Sequence, residues 1–341
     1  MRSYLGIDAH SNTGLELAAL SEDGKLLWRD RCSLDSEQVV QVAQRAPRPC
    51  TVVFEQGELA TWLHLTLRNA CDEVLVANPR HNRLIATSPD KDDPHDAFVL
   101  AKLAAGGYLR EVFQPAERFT VLRLRVRHHY RLGRHLTAVK NQIKASYRTQ
   151  GIRVSGTSVY SAASRDQWLQ RLPGPAHLPA EDLYAVLDVV QARKDAALRA
   201  LARAVRQFAP AKRMLQVPQI GPVTAATFVG YLVTPERFPS RKHLWSYCGF
   251  GLMARKSGHR AEPTRLRTAY NRHLKRVIKS TVERQIARSP SSPFAAAYQT
   301  RVQRGMLPTR AKLTVSRKLI DVLCVLWTDQ EDYDPDRINI D

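Results

Sequence analysis

Several things are scarce in this sequence, and each scarcity excludes something. The five cysteines (Cys32, Cys50, Cys71, Cys248, Cys324) are scattered, odd in number and form no C-x-x-C pair. That argues against a zinc site or disulfide framework and for a reducing cytoplasm. No apolar run approaches the roughly 20 residues needed to cross a bilayer, so no membrane partner is expected. The opening MRSYLGIDAHS has one early Arg and then an aspartate, unlike a signal peptide. Acid is also scarce: 32 Asp and Glu stand against 52 Lys and Arg, a net charge of +20. What is present in quantity is core: 341 residues at 44% hydrophobic suit two or three domains and exclude a disordered chain.

The charge is unevenly placed. Residues 1–110 hold 12 Lys/Arg against 15 Asp/Glu. From Arg118 through Arg165 there are eleven Lys/Arg and no acid, and from Gly251 to Ile320 seventeen Lys/Arg against only Glu262 and Glu283. Such fields attract polyanions. A solvated face or an acidic protein partner would explain one basic segment. The same bias in two separate segments favours nucleic acid.

The first 110 residues read as an α/β unit. SYLGIDAH (3–10), GLELAALSEDG (14–24) and KLLWRD form a three-strand meander, with a helix at 36–46. CTVVFEQG (50–57) is a strand, 57–70 a helix and EVLVANP (73–79) a buried strand closed by Asn-Pro. The order β-β-β-α-β-α-β-α is that of an RNase H-like fold. From Glu117 the chain turns helical and basic. Residues 119–147 space Leu122, Val126, Leu132, Leu136, Val139 and Ile143 helically. Residues 181–210 do the same with Leu183, Val186, Val190, Ala197, Leu201 and Val205, making a helical hairpin or coiled-coil arm. MLQVPQIGPVTAATFVGYL (214–232) resembles a helix-hairpin-helix, whose N–H groups near Gly221 can bind a phosphate; an ordinary helix–helix turn reads equally well. Segments 265–288, 292–304 and 309–327 read as helices and 329–341 as a frayed acidic tail.

Against this basic background, residues 90–96 gather four aspartates: Asp90, Asp92, Asp93 and Asp96. Locally, D-P-H-D is a capped helix start, with Asp93 as N-cap, Pro94 at N1 and Asp96 at N3. Asp8 in the first strand and Glu55 ending the fourth could converge with them at one sheet edge. Clustered carboxylates repel unless a divalent cation neutralises them, and Mg²⁺ prefers oxygen ligands. Two such ions could stabilise the attacking and leaving oxygens of phosphodiester transfer.

The motifs G-I-D (6–8), F-E-Q-G (54–57) and D-P-H-D-A (93–97), then P-Q-I-G (218–221) and YCGFGLMARKSG (247–258), resemble in order and spacing the DEDD transposases of bacterial insertion sequences. Those are relatives of the Piv invertase and are also described as bridge-RNA-guided serine recombinases. The resemblance implies a RuvC-like (RNase H fold) domain over 1–112, a basic helical or coiled-coil arm over 113–210, a helical transposase domain over 211–328 and an acidic tail over 329–341. It implies Mg²⁺ (or Mn²⁺) at Asp8, Glu55, Asp93 and Asp96, with Asp92 as the alternative register to Asp93. It further implies Ser257 as the nucleophile of a serine–DNA intermediate, donor and target DNA as substrates, an element-encoded guide RNA and a dimer or tetramer working at the bacterial nucleoid. Three departures stand out: Gln219 where the family usually has Gly, Leu252-Met253 in place of a Pro-Arg type pair, and RTAYNRHLKR (267–276) without the usual Ser-Lys-x-Gly.

Candidate nucleic-acid contacts are Arg123, Arg127, Arg131, Arg134, Lys140 and Lys144 on the arm, Gly221 at the turn, and Arg255, Lys256, Arg260, Arg272 and Lys275 around the serine. Two other readings fit the residues: a RuvC-like Mg²⁺-dependent nuclease using the acids but not Ser257, and a non-catalytic nucleic-acid-binding protein using neither.

Overall fold

The structure is a computed structural model, and it describes residues 2–79, 93–253, 256–257, 260–261 and 265–338, with no side chain described at 93–95, 256, 257, 260 or 261. The chain divides into two compact units, Met1–Glu117 and Arg118–Asp341.

The first unit is a five-stranded mixed sheet. β1 (Ser3–His10), β2 (Gly14–Ser21) and β3 (Leu26–Cys32) form an antiparallel meander, and β4 (Cys50–Glu55) and β5 (Glu73–Ala77) add in parallel beside β1. The order is β3-β2-β1-β4-β5. Both faces are covered, which is why β1 and β4 read as nearly continuous apolar runs rather than clean alternations. On one face Leu5, Ile7, Val52 and Phe54 pack with Val39 of α1 (Ser36–Ala43) and Leu63 and Leu67 of α2 (Ala60–Leu67). Asp35 caps α1, its carboxylate accepting from the Gln38 N–H at 2.8 Å. On the other face lies α3 (Asp93–Ala105), with Leu100 against Val53 and Ala77.

One contact sets how closely α3 sits. A Cβ placed on Gly6 would stand 1.9 Å from the Ala97 carbonyl oxygen and 2.8 Å from the Ala101 nitrogen. The glycine of G-I-D is therefore required by backbone-to-backbone packing, two residues before Asp8.

The second unit is helical. α4 (Glu117–Arg148) and α6 (His177–Val205) are long and pass through two separate cores. At one end Phe119, Leu122 and Val126 meet Leu201 and Val205 in the large core of the C-terminal helices. At the other, Leu136, Val139, Ile143 and Tyr147 pack with Ala180, Tyr184 and Leu187, closed by Val159 and Leu172. The pair therefore runs antiparallel. The short α5 (Arg165–Leu169) sits in the connection, where Arg165 grips Asp188 through two bonds of 2.7 and 2.8 Å. Tyr147 and Tyr184 share a buried hydroxyl–hydroxyl bond of 3.0 Å. That bond turns Tyr184 and Leu187 inward and leaves Val186, expected on the inner stripe, 46% exposed.

α7 (Ala209–Met214) leads into α8 (Pro222–Leu232), whose residues Thr224 to Leu232 are all buried. A helix apolar on every side belongs at the centre of a core. Around it lie α9 (Arg241–Tyr247), α10 (Arg272–Arg288), α11 (Pro293–Gln303) and α12 (Pro308–Thr328).

Two expectations are corrected here. The segment 265–288 does not start as helix: Arg265–Leu266 is a short strand, and α10 starts after Asn271, whose side chain accepts from the His273 and Leu274 N–H groups at 3.0 and 3.1 Å. The tail is docked, not frayed, over its described residues. Gln216 accepts from the Tyr333 N–H at 2.8 Å and donates to Asp332 at 3.0 Å, while Tyr333 and Ile338 pack on the main core.

Replacing Gly6 by Ala should push α3 off the sheet. The expected loss is about 1–3 kcal/mol or more of unfolding free energy, read as a lower urea midpoint than the parent protein.

Candidate functional site

Strand alternation places the acids. On β1, Ile7 faces α1 and α2, so Gly6 and Asp8 face α3. On β4, Phe54 faces α1 and α2, so Val53 and Glu55 face α3. The parallel register pairs Gly6 with Val53 and Ile7 with Phe54, which brings Asp8 and Glu55 level at neighbouring strand ends. Asp96, exposed, precedes the Ala97 whose carbonyl touches Gly6. Asp93 starts the same helix one turn earlier, its side chain outside those described, and Asp92 lies outside the described residues. The fold thus brings Asp8, Glu55 and the start of α3 to one edge of the sheet.

Two residues beside this set carried no signal in the sequence. His10 lies two positions along β1, and its Nε2 is 2.9 Å from the Asp8 carboxylate. Glu16 is directly opposite Asp8 in the antiparallel β1–β2 register and is ion-paired with Arg31. Only the strand register reveals that neighbour. Among the described residues no three His, Cys, Asp or Glu side chains are close enough to hold a metal ion. The donor chemistry at this edge suits a hard, oxygen-seeking divalent cation.

Ser257 belongs to the second unit. β6 (Leu252–Met253) pairs with β9 (Arg265–Leu266), and β7 (Lys256–Ser257) with β8 (Arg260–Ala261), Ser257 standing opposite Arg260. Arg255 is outside the described residues, as are the side chains of Lys256 and Arg260. The base of these strands is held firmly. The Phe250 carbonyl accepts from Arg317 at 2.8 Å, the Phe250 N–H donates to the Trp245 carbonyl at 2.7 Å, and Trp245 Nε1 donates to Asp321 at 2.8 Å. Burial raises the Asp321 carboxyl above its ordinary value, opposed by the Trp245 bond and nearby cations. A Cβ on Gly251 would meet Ser246 Oγ at 2.1 Å.

The basic residues separate into two kinds. Arg123 points inward, donating to the Gly230 carbonyl at 2.7 Å and lying over the Tyr231 ring. Burial lowers its pKa, and its charge is committed to packing α4 on α8. Lys140 and Lys144 lie over the Tyr160 ring at 5.1 and 5.4 Å, and Lys275 over Tyr270 at 4.1 Å. Arg127, Arg131, Arg134 and Arg272 are exposed.

Gly221 is the N-cap of α8 and lines a cleft of about 670 Å³ with Tyr130, Gln219, Arg276, Ser280 and Arg284. Gln219 sits at φ 62°, the left-handed region that favours glycine, which gives a physical reason for the Gly usual at this position. Its strain is held by three contacts: Gln219 Nε2 donates to Ser289 Oγ at 2.9 Å, Arg284 donates to the Gln219 carbonyl at 3.2 Å, and Gln285 donates to the Pro218 carbonyl at 2.8 Å.

An acid-bearing mixed sheet joined to a strongly basic helical unit is the make-up of an enzyme that works on nucleic acid. The comparisons with known families agree on which one. The IS110-type DEDD transposase model matches residues 5–148, and the transposase IS116/IS110/IS902 family model matches residues 211–299. The chain belongs to the IS110 family of DEDD transposases, and is a DNA transposase acting by transesterification. No curated protein matches it. Among the described residues no helix is long and apolar enough to cross a membrane.

Two histidines of the helical unit make its stability pH-dependent. His129 is lowered by burial and then by Lys194 and His128; His273, stacked on Tyr231 at 4.6 Å, is lowered by burial and then by Arg276 and Arg127. A folded value below the unfolded one of about 6.5 means the unfolded chain binds protons first as pH falls. Their stabilising contribution is complete above that pH and is lost as pH drops through the folded values. Urea midpoints should fall between pH 7.5 and 5.5, and by less in His273→Phe, which keeps a ring on Tyr231 but cannot titrate.

Proposed function

We propose that this transposase is a site-specific recombinase that cuts and rejoins DNA through Ser257, with a divalent-metal site at Asp8, Glu55, Asp93 and Asp96. The observation that carries the reading is the level placement of Asp8 and Glu55 on the α3 face of adjacent parallel strands, with α3 packed directly on Gly6. The strand order β3-β2-β1-β4-β5 supports naming the first unit RuvC-like, of the RNase H fold, over about residues 1–112. The antiparallel α4–α6 pair supports a coiled-coil arm within 113–210, followed by a transposase domain over 211–328 and an acidic tail over 329–341. The turn before α8 supports a helix-hairpin-helix-like segment.

In this reading Ser257 Oγ attacks the scissile phosphorus. A serine–phosphate bond forms, the bond from phosphorus to one deoxyribose oxygen breaks, and the proton lost by Oγ is balanced by one gained by the leaving oxygen. A deoxyribose hydroxyl of the partner strand then attacks the phosphoserine and restores the serine. Because the phosphodiester's energy stays in the protein–DNA bond, rejoining needs no nucleotide cofactor. Mg²⁺ (or Mn²⁺) at the four acids would neutralise charge on the transferring phosphate. Asp8 is held in orientation by His10, and Lys256, Arg255 and Arg260, flanking the serine, can stabilise phosphate charge. Exchange between two duplexes calls for a dimer or tetramer. A structured guide RNA would be gripped by the arm, at the exposed Arg127, Arg131 and Arg134 and the half-buried Lys140 and Lys144, and the protein would work on nucleoid DNA in the bacterial cytoplasm.

A denaturing gel after incubation with donor DNA, target DNA, RNA and Mg²⁺ tests this. The parent protein should give a covalent protein–DNA adduct that Ser257→Ala abolishes and Asp8→Asn or Glu55→Gln slows by at least about 100-fold. Cleavage surviving in Ser257→Ala but lost in Asp8→Asn would overturn the serine reading in favour of hydrolysis by a RuvC-type nuclease.

A further inference from the structure

We propose that the cleft between the start of α8 and α10 is a sequence-independent clamp for a nucleic-acid backbone, with Arg276 and Arg284 as its phosphate ligands. The proposal depends only on the chain being a DNA transposase, not on Ser257 or the acid set.

The cleft, about 670 Å³, lies wholly within the helical unit and is built by three elements. α4 contributes Tyr130, the 219–221 turn and first turn of α8 form one wall, and α10 contributes Arg276, Ser280 and Arg284. Those three residues are spaced by four, so they form a single stripe along α10. Arg276 is exposed, and its guanidinium carbon is 3.6 Å from the Tyr130 ring centroid. Arg284 is half-buried and directs one nitrogen at the Gln219 carbonyl and Thr281 Oγ1, at 3.2 and 3.0 Å.

Both arginines are oriented by neutral groups. Among the described residues, neither has a carboxylate within ion-pair distance, and the single acid of α10, Glu283, is paired with Lys279 at 3.9 Å. A guanidinium has five donors in a fixed fork, so each retains N–H groups for an incoming anion. Stacking on Tyr130 fixes Arg276 in advance, which lowers the entropy lost on binding. Chemically, then, this is a rigid, doubly cationic cleft on a protein whose substrate is a polyanion.

Spacing separates a strand from a free ion. Eight residues of helix set Arg276 and Arg284 about 12 Å apart along α10. That is several times the roughly 3.4 Å axial step of one nucleotide on a strand, so phosphates a few nucleotides apart, and not one inorganic phosphate, would engage both. Apart from the two arginines, the polar side chains of the cleft are engaged within the protein: Ser280 Oγ donates to the Val277 carbonyl at 3.1 Å. The amide side chain of the cleft, Gln219, is committed to Ser289, and arginine contacts to phosphate position a duplex without reading sequence.

The test measures full-length protein by fluorescence anisotropy between about 50 and 200 mM salt. The probes are a random-sequence DNA duplex, the same duplex scrambled, and an RNA hairpin. Arg276→Gln should weaken binding several-fold and equally on both duplexes, and reduce the salt slope by about 1. Ser280→Glu, which sets a negative charge one helical turn from each arginine, should weaken binding at least as much and serves if Arg276→Gln misfolds. Arg304→Gln, an exposed arginine on the chain after α11, controls for loss of net charge and should change little. Inorganic phosphate up to millimolar levels should not compete.

A loss on DNA alone assigns the clamp to donor or target DNA, and a loss on RNA alone assigns it to an RNA partner; either supports the site. The proposal fails if Arg276→Gln and Ser280→Glu match Arg304→Gln in affinity and slope. It fails as a strand clamp if inorganic phosphate competes or the two duplexes respond differently. These outcomes are independent of the serine adduct: a missing adduct with a changed slope overturns only the serine reading, and an intact adduct with an unchanged slope overturns only the clamp.

Discussion

The first unit depends on a contact that contains no side chain on the strand's side. At Gly6 the backbone of β1 meets the backbone of α3, with no room for even one carbon against the Ala97 carbonyl. A helix packed this closely cannot slide or lift without leaving a gap over the middle of the sheet. Its first turn is therefore held in a defined relation to the ends of β1 and β4. Asp8 and Glu55 get their relation to each other from the parallel register, and their relation to Asp96 and the start of α3 from this glycine. The G of G-I-D thus positions the D indirectly, by governing what lies above it.

The helical unit meets its constraints differently. Its two long helices, α4 and α6, are held by a separate core at each end. One surrounds α8; the other is closed by the Tyr147–Tyr184 hydroxyl pair and the Arg165–Asp188 fork. The turn before α8 is the strained point. Gln219 occupies a backbone region suited to glycine, and α10 and Ser289 hold it there through Arg284, Gln285 and the Gln219 amide bond. The departure from the family's usual glycine thus comes with a set of compensating contacts, and those contacts aim α10 at the turn.

Much of this is legible in the linear chain, and the reasons for the misses are physical. β-branched runs and turn residues disclose the five strands because hydrogen bonding along a sheet is local in its side-chain demands. Asp93, Pro94 and Asp96 disclose a helix start because capping is a matter of three or four consecutive residues. The direction of a side chain is not local. Arg123 reads as one more cation on a basic helix, yet the carbonyl of Gly230, more than a hundred residues away, draws it inward. Val186 has apolar character and helical spacing, but the tyrosine pair rotates its helix so that Tyr184 and Leu187 take the core. The tail looks like a frayed acidic end because its anchor, Gln216, is remote in sequence.

By itself the sequence determined the class of protein: the distribution of charge, the order of elements, and the ordered short motifs that mark an IS110-type transposase. Each of these is carried by residues close together in the chain or by their sum. Tertiary structure decided which of those residues meet. Register made Asp8 and Glu55 neighbours and set Glu16 opposite Asp8. Close packing at Gly6 brought α3 to the same edge. The approach of α4 and α10 to one turn joined Tyr130, Arg276 and Arg284, drawn from segments more than a hundred residues apart, into a cleft that no local pattern announces.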